Sequence, residues 1–83
     1  MSYNVSFSLE AVEDVLHITL ASQAKSAIVN ASKQLQEALQ NDPAGAGEHL
    51  SEGLYYIDRE PLRAFYIIQS EDASVEIVNV RQL

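Results

Sequence analysis

Leu62-Arg63-Ala64-Phe65-Tyr66-Ile67-Ile68-Gln69 is the stretch that decides the fold. Leu62, Ala64, Tyr66 and Ile68 alternate with Arg63, Phe65, Ile67 and Gln69. Period two over eight residues marks a strand, because successive side chains point to opposite faces of a sheet. The first set is wholly apolar and predicts a face covered by other elements. The second set holds one charge, one amide and two large apolar groups, which is rich in apolar surface for a strand face turned to water. Two short breaks bound the run, Arg59-Glu60-Pro61 before it and Glu71-Asp72-Ala73 after it. Both are of turn length, so residues 54–58, 62–69 and 75–80 are expected as three successive antiparallel strands.

The covered face needs a cover, and the first half of the chain supplies it. Tyr3-Asn4-Val5-Ser6-Phe7 alternates apolar and polar and predicts a first strand, with Ser8 as the N-cap of a helix. Over residues 9–21, Leu9, Val12, Leu16 and Leu20 form one stripe at 100° per residue, and Ala11, Val15 and Ile18 form a second beside it. Together they span roughly 200° of the helix. That width predicts burial on two sides, by the sheet and by another helix or a partner. Glu10, Glu13, Asp14 and His17 share the wet face. Ser22 is expected to cap a second helix over residues 23–41, with Ala24, Ala27, Ile28, Ala31, Leu35, Ala38 and Leu39 on its apolar stripe. Asp42-Pro43 ends it, because a residue before proline avoids the helical region. Residues 43–48 are expected as loop. The chain therefore predicts one α+β domain over residues 1–83, in the order β-α-α-β-β-β. A helical hairpin packs on one face of a mainly antiparallel four-stranded sheet, with the place of the first strand left open.

Composition narrows what such a domain does. Eighty-three residues, 47% of them apolar, hold one core. With no cysteine there is no disulfide framework, thiolate metal site or cysteine nucleophile. No apolar run approaches a membrane span, and Met1-Ser2-Tyr3-Asn4 begins no signal sequence, so a cytoplasmic protein is expected. Twelve acids against five bases give a net charge of −7. A field of that sign repels phosphate backbones and disfavours general nucleic-acid binding. The acids concentrate at Asp42, Glu48, Glu52, Asp58 and Glu60, against Arg59 alone. Solubility is the simpler expectation for such a segment; mimicry of nucleic acid or the binding of a basic partner is the alternative.

The mixed face of the third strand-like run is the first candidate site. Arg63, Phe65 and Ile67, with Ile77 and Arg81 from the last strand, are expected to form an apolar patch that takes a protein partner. Isolated apolar side chains on a surface are ordinary, so the patch rests on their number. For catalysis, Arg63 and Arg81 with Tyr56 or Tyr66 are the available constellation. A phosphodiester site needs cations for the phosphate and a group that moves a proton from the 2′-hydroxyl. Two arginines supply the first need, but an ordinary tyrosine titrates near 10 and does not supply the second. Cross-strand pairing of these arginines with Glu76, Asp58 or Glu60 is the simpler expectation, and Tyr66 belongs with the core. Glu13, Asp14 and His17 share part of one helix surface, and Glu48, His49 and Glu52 cluster in sequence, but neither set has the ligands of a zinc site. Gly45 and Gly47 lack the Lys-Ser/Thr of a phosphate loop. No metal and no cofactor are expected.

The order of elements and several short motifs resemble the RelE/ParE toxin superfamily of bacterial toxin–antitoxin modules. The resemblance is carried by Tyr3-Asn4-Val5-Ser6-Phe7-Ser8-Leu9-Glu10-Ala11, by Asn41-Asp42-Pro43 with Gly47, by Gly53-Leu54-Tyr55-Tyr56 with Pro61-Leu62-Arg63-Ala64-Phe65-Tyr66, and by Val75-Glu76-Ile77-Val78-Asn79-Val80. It covers nearly the whole chain. It implies a plasmid-stabilisation type of module in which an antitoxin wraps extended and helical segments over the toxin. In one branch of the superfamily the toxin cleaves messenger RNA on the ribosome, and in another it poisons DNA gyrase. Arg63 matches the arginine that the family carries in its third strand. The match then departs from the nuclease branch. Tyr55 and Tyr56 stand where that branch carries lysines, and only three residues follow Val80, where a basic, aromatic tail is expected. Together with the charge, these departures predict a toxin scaffold that works through a protein: an antitoxin, a gyrase-like (ParE-type) cellular target or a second copy of itself. They speak against ribosome-dependent cleavage of messenger RNA. An inactive, repurposed scaffold is the other alternative.

Overall fold

The computed structural model describes residues 2–83. The elements run β1 (Asn4–Phe7), α1 (Leu9–Ala21), α2 (Lys25–Asn41), α3 (Pro43–Ala46), β2 (Glu48–Ser51), β3 (Leu54–Arg59), β4 (Leu62–Gln69) and β5 (Ser74–Gln82), with a 3₁₀ turn at Ser70–Asp72 between the last two. The strands form one five-stranded sheet in the order β1-β5-β4-β3-β2. β1 lies parallel to β5, and all other neighbours are antiparallel. The architecture is α+β, with the helical hairpin against one face of the sheet.

The sheet has one strand more than the sequence predicts. β2 is Glu48-His49-Leu50-Ser51, and all four residues are exposed. It has no apolar alternation to betray it, and it exists because its backbone pairs with the free edge of β3. The expected loop at residues 43–48 instead begins with the short α3. There the Asp42 carboxylate accepts a hydrogen bond from the Gly45 N–H at 3.1 Å. Gly53, at φ 75°, takes the left-handed region and turns β2 into β3. Gly47 is needed for closeness, because a Cβ there would meet the Tyr56 carbonyl oxygen and the Tyr66 hydroxyl.

The predicted covered face of β4 is buried. Leu62, Ala64 and Tyr66 are fully enclosed, with Ile57 from β3, Val75, Ile77 and Val80 from β5, and Ile28, Ala31, Leu35 and Leu39 from α2. Tyr66 is the largest side chain in this core, and its hydroxyl donates to the Pro43 carbonyl at 2.6 Å. α2 starts at Lys25 rather than at residue 23. Ser22 does not cap it; its Oγ accepts from the Ala24 N–H at 2.9 Å inside the joint between the helices.

Ile77 was expected on the open face and lies in the core, with no exposure. The reason is a β-bulge. Opposite Phe65 and Tyr66 the register jumps from Asn79 to Ile77, so Val78 is an extra residue in β5. Period two holds from Val75 to Ile77, then restarts one residue later. Val75, Ile77 and Val80 therefore face the core, while Asn79 and Arg81 face away from it.

α1 spans the predicted residues, and the Ser8 Oγ accepts from the Ala11 N–H at 3.1 Å. Only one of its two stripes is covered by the chain itself. Ala11 is fully buried, and Val15 and Ile18 pack beside it. Leu9, Val12, Leu16 and Leu20 stand in solvent, with Leu9 at 75% and Leu20 at 68% exposed. α1 also guards a sheet edge. β1 pairs with β5 only from Ser74 to Ile77. Past that point the Asp14 carboxylate accepts from the Val80 N–H at 2.9 Å, and the Ser8 Oγ donates to the Val78 carbonyl at 3.0 Å. These bonds occupy edge groups that would otherwise be open to another strand.

Candidate functional site

The face of the sheet opposite the helices is built from alternate residues of three long strands. β3 contributes Leu54, Tyr56 and Asp58, β4 contributes Arg63, Phe65 and Ile67, and β5 contributes Glu76, Asn79 and Arg81. The register sets Tyr56 opposite Phe65, Asp58 opposite Arg63, and Leu54 opposite Ile67. On the other flank of β4 it sets Arg63 opposite Arg81, Phe65 opposite Asn79, and Ile67 opposite Glu76. Glu48 of β2 joins the row beside Tyr56.

Arg63 is held from two sides. Its Nε reaches the Asp58 Oδ1 at 2.7 Å and its Nη2 reaches Oδ2 at 2.9 Å, a bidentate fork. Its Cζ sits 4.5 Å from the centre of the Tyr56 ring, a cation–π contact. The hydrogen bond from Arg63 holds the Asp58 carboxyl below its ordinary value, and the same bond raises the guanidinium further above its own. The Tyr56 and Phe65 rings lie 6.4 Å apart. Arg81 is exposed and directly opposite Arg63, and it makes no ion pair among the described residues. Like charges in that position repel unless an anion lies between them. A shallow cavity of about 160 Å³ is lined by Leu54, Phe65, Val78, Asn79 and Arg81. That is smaller than the pockets that enclose metabolites, which run to several hundred Å³.

Five of the sequence-predicted residues therefore come together on this face: Tyr56, Arg63, Phe65, Ile67 and Arg81. Ile77 is removed from it by the bulge. Tyr66 points to the other side of the sheet, where burial pushes its hydroxyl up to about 12. It stays neutral and serves as a donor to Pro43, and it moves no proton for chemistry on the open face. Leu54 and Val78 line the cavity without having been expected there. Leu54 was open to discovery, since it alternates with Tyr56 and Asp58; Val78 gave no signal, because it reaches this face only through the bulge.

The histidines form no competing site. Among the described residues no three of His, Cys, Asp and Glu converge as metal ligands. His49 packs edge-on to Tyr55 at 5.0 Å, and Tyr55 stacks on Tyr66 at 5.5 Å. No helix among the described residues is long and apolar enough to cross a membrane. The open face can thus grip an acidic or phosphate group at Arg81 and cover apolar surface along Phe65, Ile67 and Leu54. Its carboxylates are Glu48, Asp58 and Glu76, of which Asp58 is committed to Arg63.

No protein-family model matches the sequence, and no curated protein is significantly similar to it. Solved structures are similar. A chain of the toxin–antitoxin complex RelBE2 from Mycobacterium tuberculosis superposes with a TM-score of 0.84 at 21% identity, over 100% of this chain and 93% of that one. An arginine-to-alanine double variant of the E. coli toxin RelE, in the free state, gives 0.74 at 20% identity, over 99% and 84%. A chain of the chromosomal ParDE system from P. aeruginosa gives 0.68 at 15% identity, over 99% and 97%. The chain has the RelE/ParE toxin fold. Within it, Arg63 lies on β4, the third of the sequence-predicted strands because β2 was not among them. Tyr55 and Tyr56 fall on opposite sides of β3. Tyr55 joins the core aromatics and Tyr56 lies under Arg63. On the open face of this fold, Arg63 is paired and Arg81 makes no ion pair among the described residues.

Proposed function

We propose that this chain is the toxin-fold partner of a type II toxin–antitoxin module and works by binding protein at the open face of its sheet. The observation that carries the reading is the state of Arg63. Its guanidinium is committed to Asp58 and stacked on Tyr56, within a row that also holds Glu48 and Glu76. A surface that cleaves RNA needs free cations for the phosphate, and this one has one arginine paired, one unpaired, and apolar rings and acids around them. Apolar anchors ringed by charge are instead what a protein interface uses. The similarity to chains from the RelBE2 and ParDE toxin–antitoxin systems supports an antitoxin as the partner.

The test is purification from the native host, with and without Ile67→Glu, followed by sizing and identification of whatever co-elutes. A stoichiometric protein partner that Ile67→Glu releases supports the proposal. Recovery of free monomer alone refutes it. A second reading, a ribosome-dependent messenger RNA endonuclease, draws on the opposed pair Arg63 and Arg81, which would suit a phosphate between them. Cleavage in a translation extract, lost in Arg63→Ala, would establish that reading instead.

A further inference from the structure

Carbonyls of successive residues point to opposite edges of a regular strand. At the bulge of β5 they do not. The Ile77 and Val78 carbonyls both turn to Ser8, whose N–H donates to the first at 2.9 Å and whose Oγ donates to the second at 3.0 Å. The same Oγ accepts from the Ala11 N–H at the start of α1. Two residues further along β5, the Asp14 carboxylate accepts from the Val80 N–H at 2.9 Å. Asp14 also shares the Asn79 side-chain amide with Glu10, each at 3.4 Å. Residues 2–24 hold no lysine or arginine to draw these carboxylates elsewhere. The first turns of α1 thus hold the bulge from both of its ends.

The side-chain pattern of β5 does not require the extra residue to be Val78. A bulge one place earlier would set Ile77 and Val78 together opposite Tyr66. Val75, Ile77 and Val80 would still face the core, and Asn79 would still lie opposite Phe65, as they do now. Val78 would then turn to the core side with Ile77, a change that apolar burial favours. It stands instead half-buried on the open side of the sheet. There it lines the cavity beside Arg81, and also a second cavity of about 360 Å³ reaching Ser8, Leu9 and Glu10. A bulge re-aims a side chain, and the polar groups of α1 select which one is re-aimed here.

We propose that Ser8 and Asp14 are positioning residues that fix the bulge of β5 and so keep Val78 on the open face, as the wall shared by the two cavities. Asp14 lines neither cavity and acts through the backbone of β5. The inference concerns the free chain and stands whatever covers the open face. The probe is Val78 itself, in protein with labelled valine methyls studied by NMR. In wild type these methyls are expected to show nuclear Overhauser effects to the Phe65 ring. In Asp14→Ala they are expected to exchange Phe65 contacts for contacts to the Tyr66 ring, while the Val80 amide exchanges with solvent at least tenfold faster. Asp14→Asn keeps an acceptor for the Val80 N–H and is expected to retain the wild-type pattern. Ser8→Asp keeps the cap on the Ala11 N–H but has no donor for the Val78 carbonyl, and is expected to move Val78 as Asp14→Ala does. Glu13→Ala, on the exposed side of α1, is expected to change neither reading. Ser8 and Asp14 lie outside the buried core, so both variants are expected to fold; a thermal melt checks this, and where one fails the other carries the test. A Val78 that keeps its Phe65 contacts in either folded variant overturns the proposal, even if the Val80 amide exchanges faster. So does a wild-type Val78 that already meets the Tyr66 ring, an Asp14→Asn that behaves as Asp14→Ala, or the same shift in Glu13→Ala.

Discussion

Replacing Tyr66 with phenylalanine removes one oxygen from the centre of the core and leaves its packing in place. The hydroxyl donates to the Pro43 carbonyl at 2.6 Å, and both residues are fully buried. A buried carbonyl that loses its donor costs about 1–3 kcal/mol. For a domain of this size each kcal/mol lowers Tm by about 4–8 °C, so Tyr66→Phe is expected to melt roughly 4–24 °C lower near pH 8. The alkaline limb supplies a second reading. Burial pushes the Tyr66 hydroxyl up to about 12 from an ordinary 10. The folded state therefore holds this proton more tightly than the unfolded one. The stability so contributed is complete below pH 10 and is lost as pH rises toward 12. Over that window wild type should lose about 2–3 kcal/mol that Tyr66→Phe does not lose, at about 1.4 kcal/mol per unit of pKa difference. The gap in Tm should thus close from pH 8 to pH 12, followed by circular dichroism melts at stepped pH. A gap near zero at pH 8, or one that stays constant up to pH 12, would refute the assigned hydrogen bond and its buried setting.

Gly47→Ala is expected to cost about 1–3 kcal/mol by overpacking, since its Cβ would meet the Tyr56 carbonyl oxygen and the Tyr66 hydroxyl. Adding Tyr66→Phe frees only the hydroxyl side, so the double variant in urea unfolding should lose less than the sum of the singles; strict additivity would show that the two sites do not touch. Asp58→Asn tests the open-face pair through acid. The Asp58 carboxyl is held down by Arg63, so its contribution is present above the ordinary carboxylate range and fades as pH falls through its lowered value. The difference in Tm between wild type and Asp58→Asn should therefore be larger at pH 7 than at about pH 3; equal differences would mean that Arg63 does not favour the charged carboxylate.

Much of the fold was legible because its strands carry local signals. The run from Leu62 to Gln69 shows its two faces in its own alternation, and Ser8 marks the start of α1 by what a serine does at an N-cap. What stayed hidden depends on backbone. β2 has four exposed side chains, and only a free strand edge makes it a strand. The bulge at Val78 misplaced Ile77, because period two counts residues and a bulge adds one without any distinctive side chain. The two-sided apolar face of α1 was read correctly in width. Width alone does not say whether the chain itself covers both sides, and only the stripe on Ala11, Val15 and Ile18 is covered. At the site, Tyr56, Arg63, Phe65 and Arg81 were within reach of alternation. The Asp58 fork on Arg63 was one of several pairings that sequence left open.

The charge of −7 acquires a location from the fold. Lys25 and Lys33 lie on α2, and Arg59 turns to the Asp58 carbonyl, so Arg63 and Arg81 are the cations that reach the middle of the open face. Asp58 engages the first, and Glu48 and Glu76 flank the row. Affinity for single-stranded RNA grows with the number of phosphates neutralised, each adding about 0.7 to the salt slope. One free arginine gives such a surface little hold, and the surrounding acids oppose it. For a protein partner the same acids set specificity, because they reject acidic surfaces and admit basic ones. The α1 stripe repeats the arrangement beside this face, with leucines at the centre, Glu10 and Glu13 at the border, and the Glu10 carboxylate accepting from the Asn79 amide at 3.4 Å.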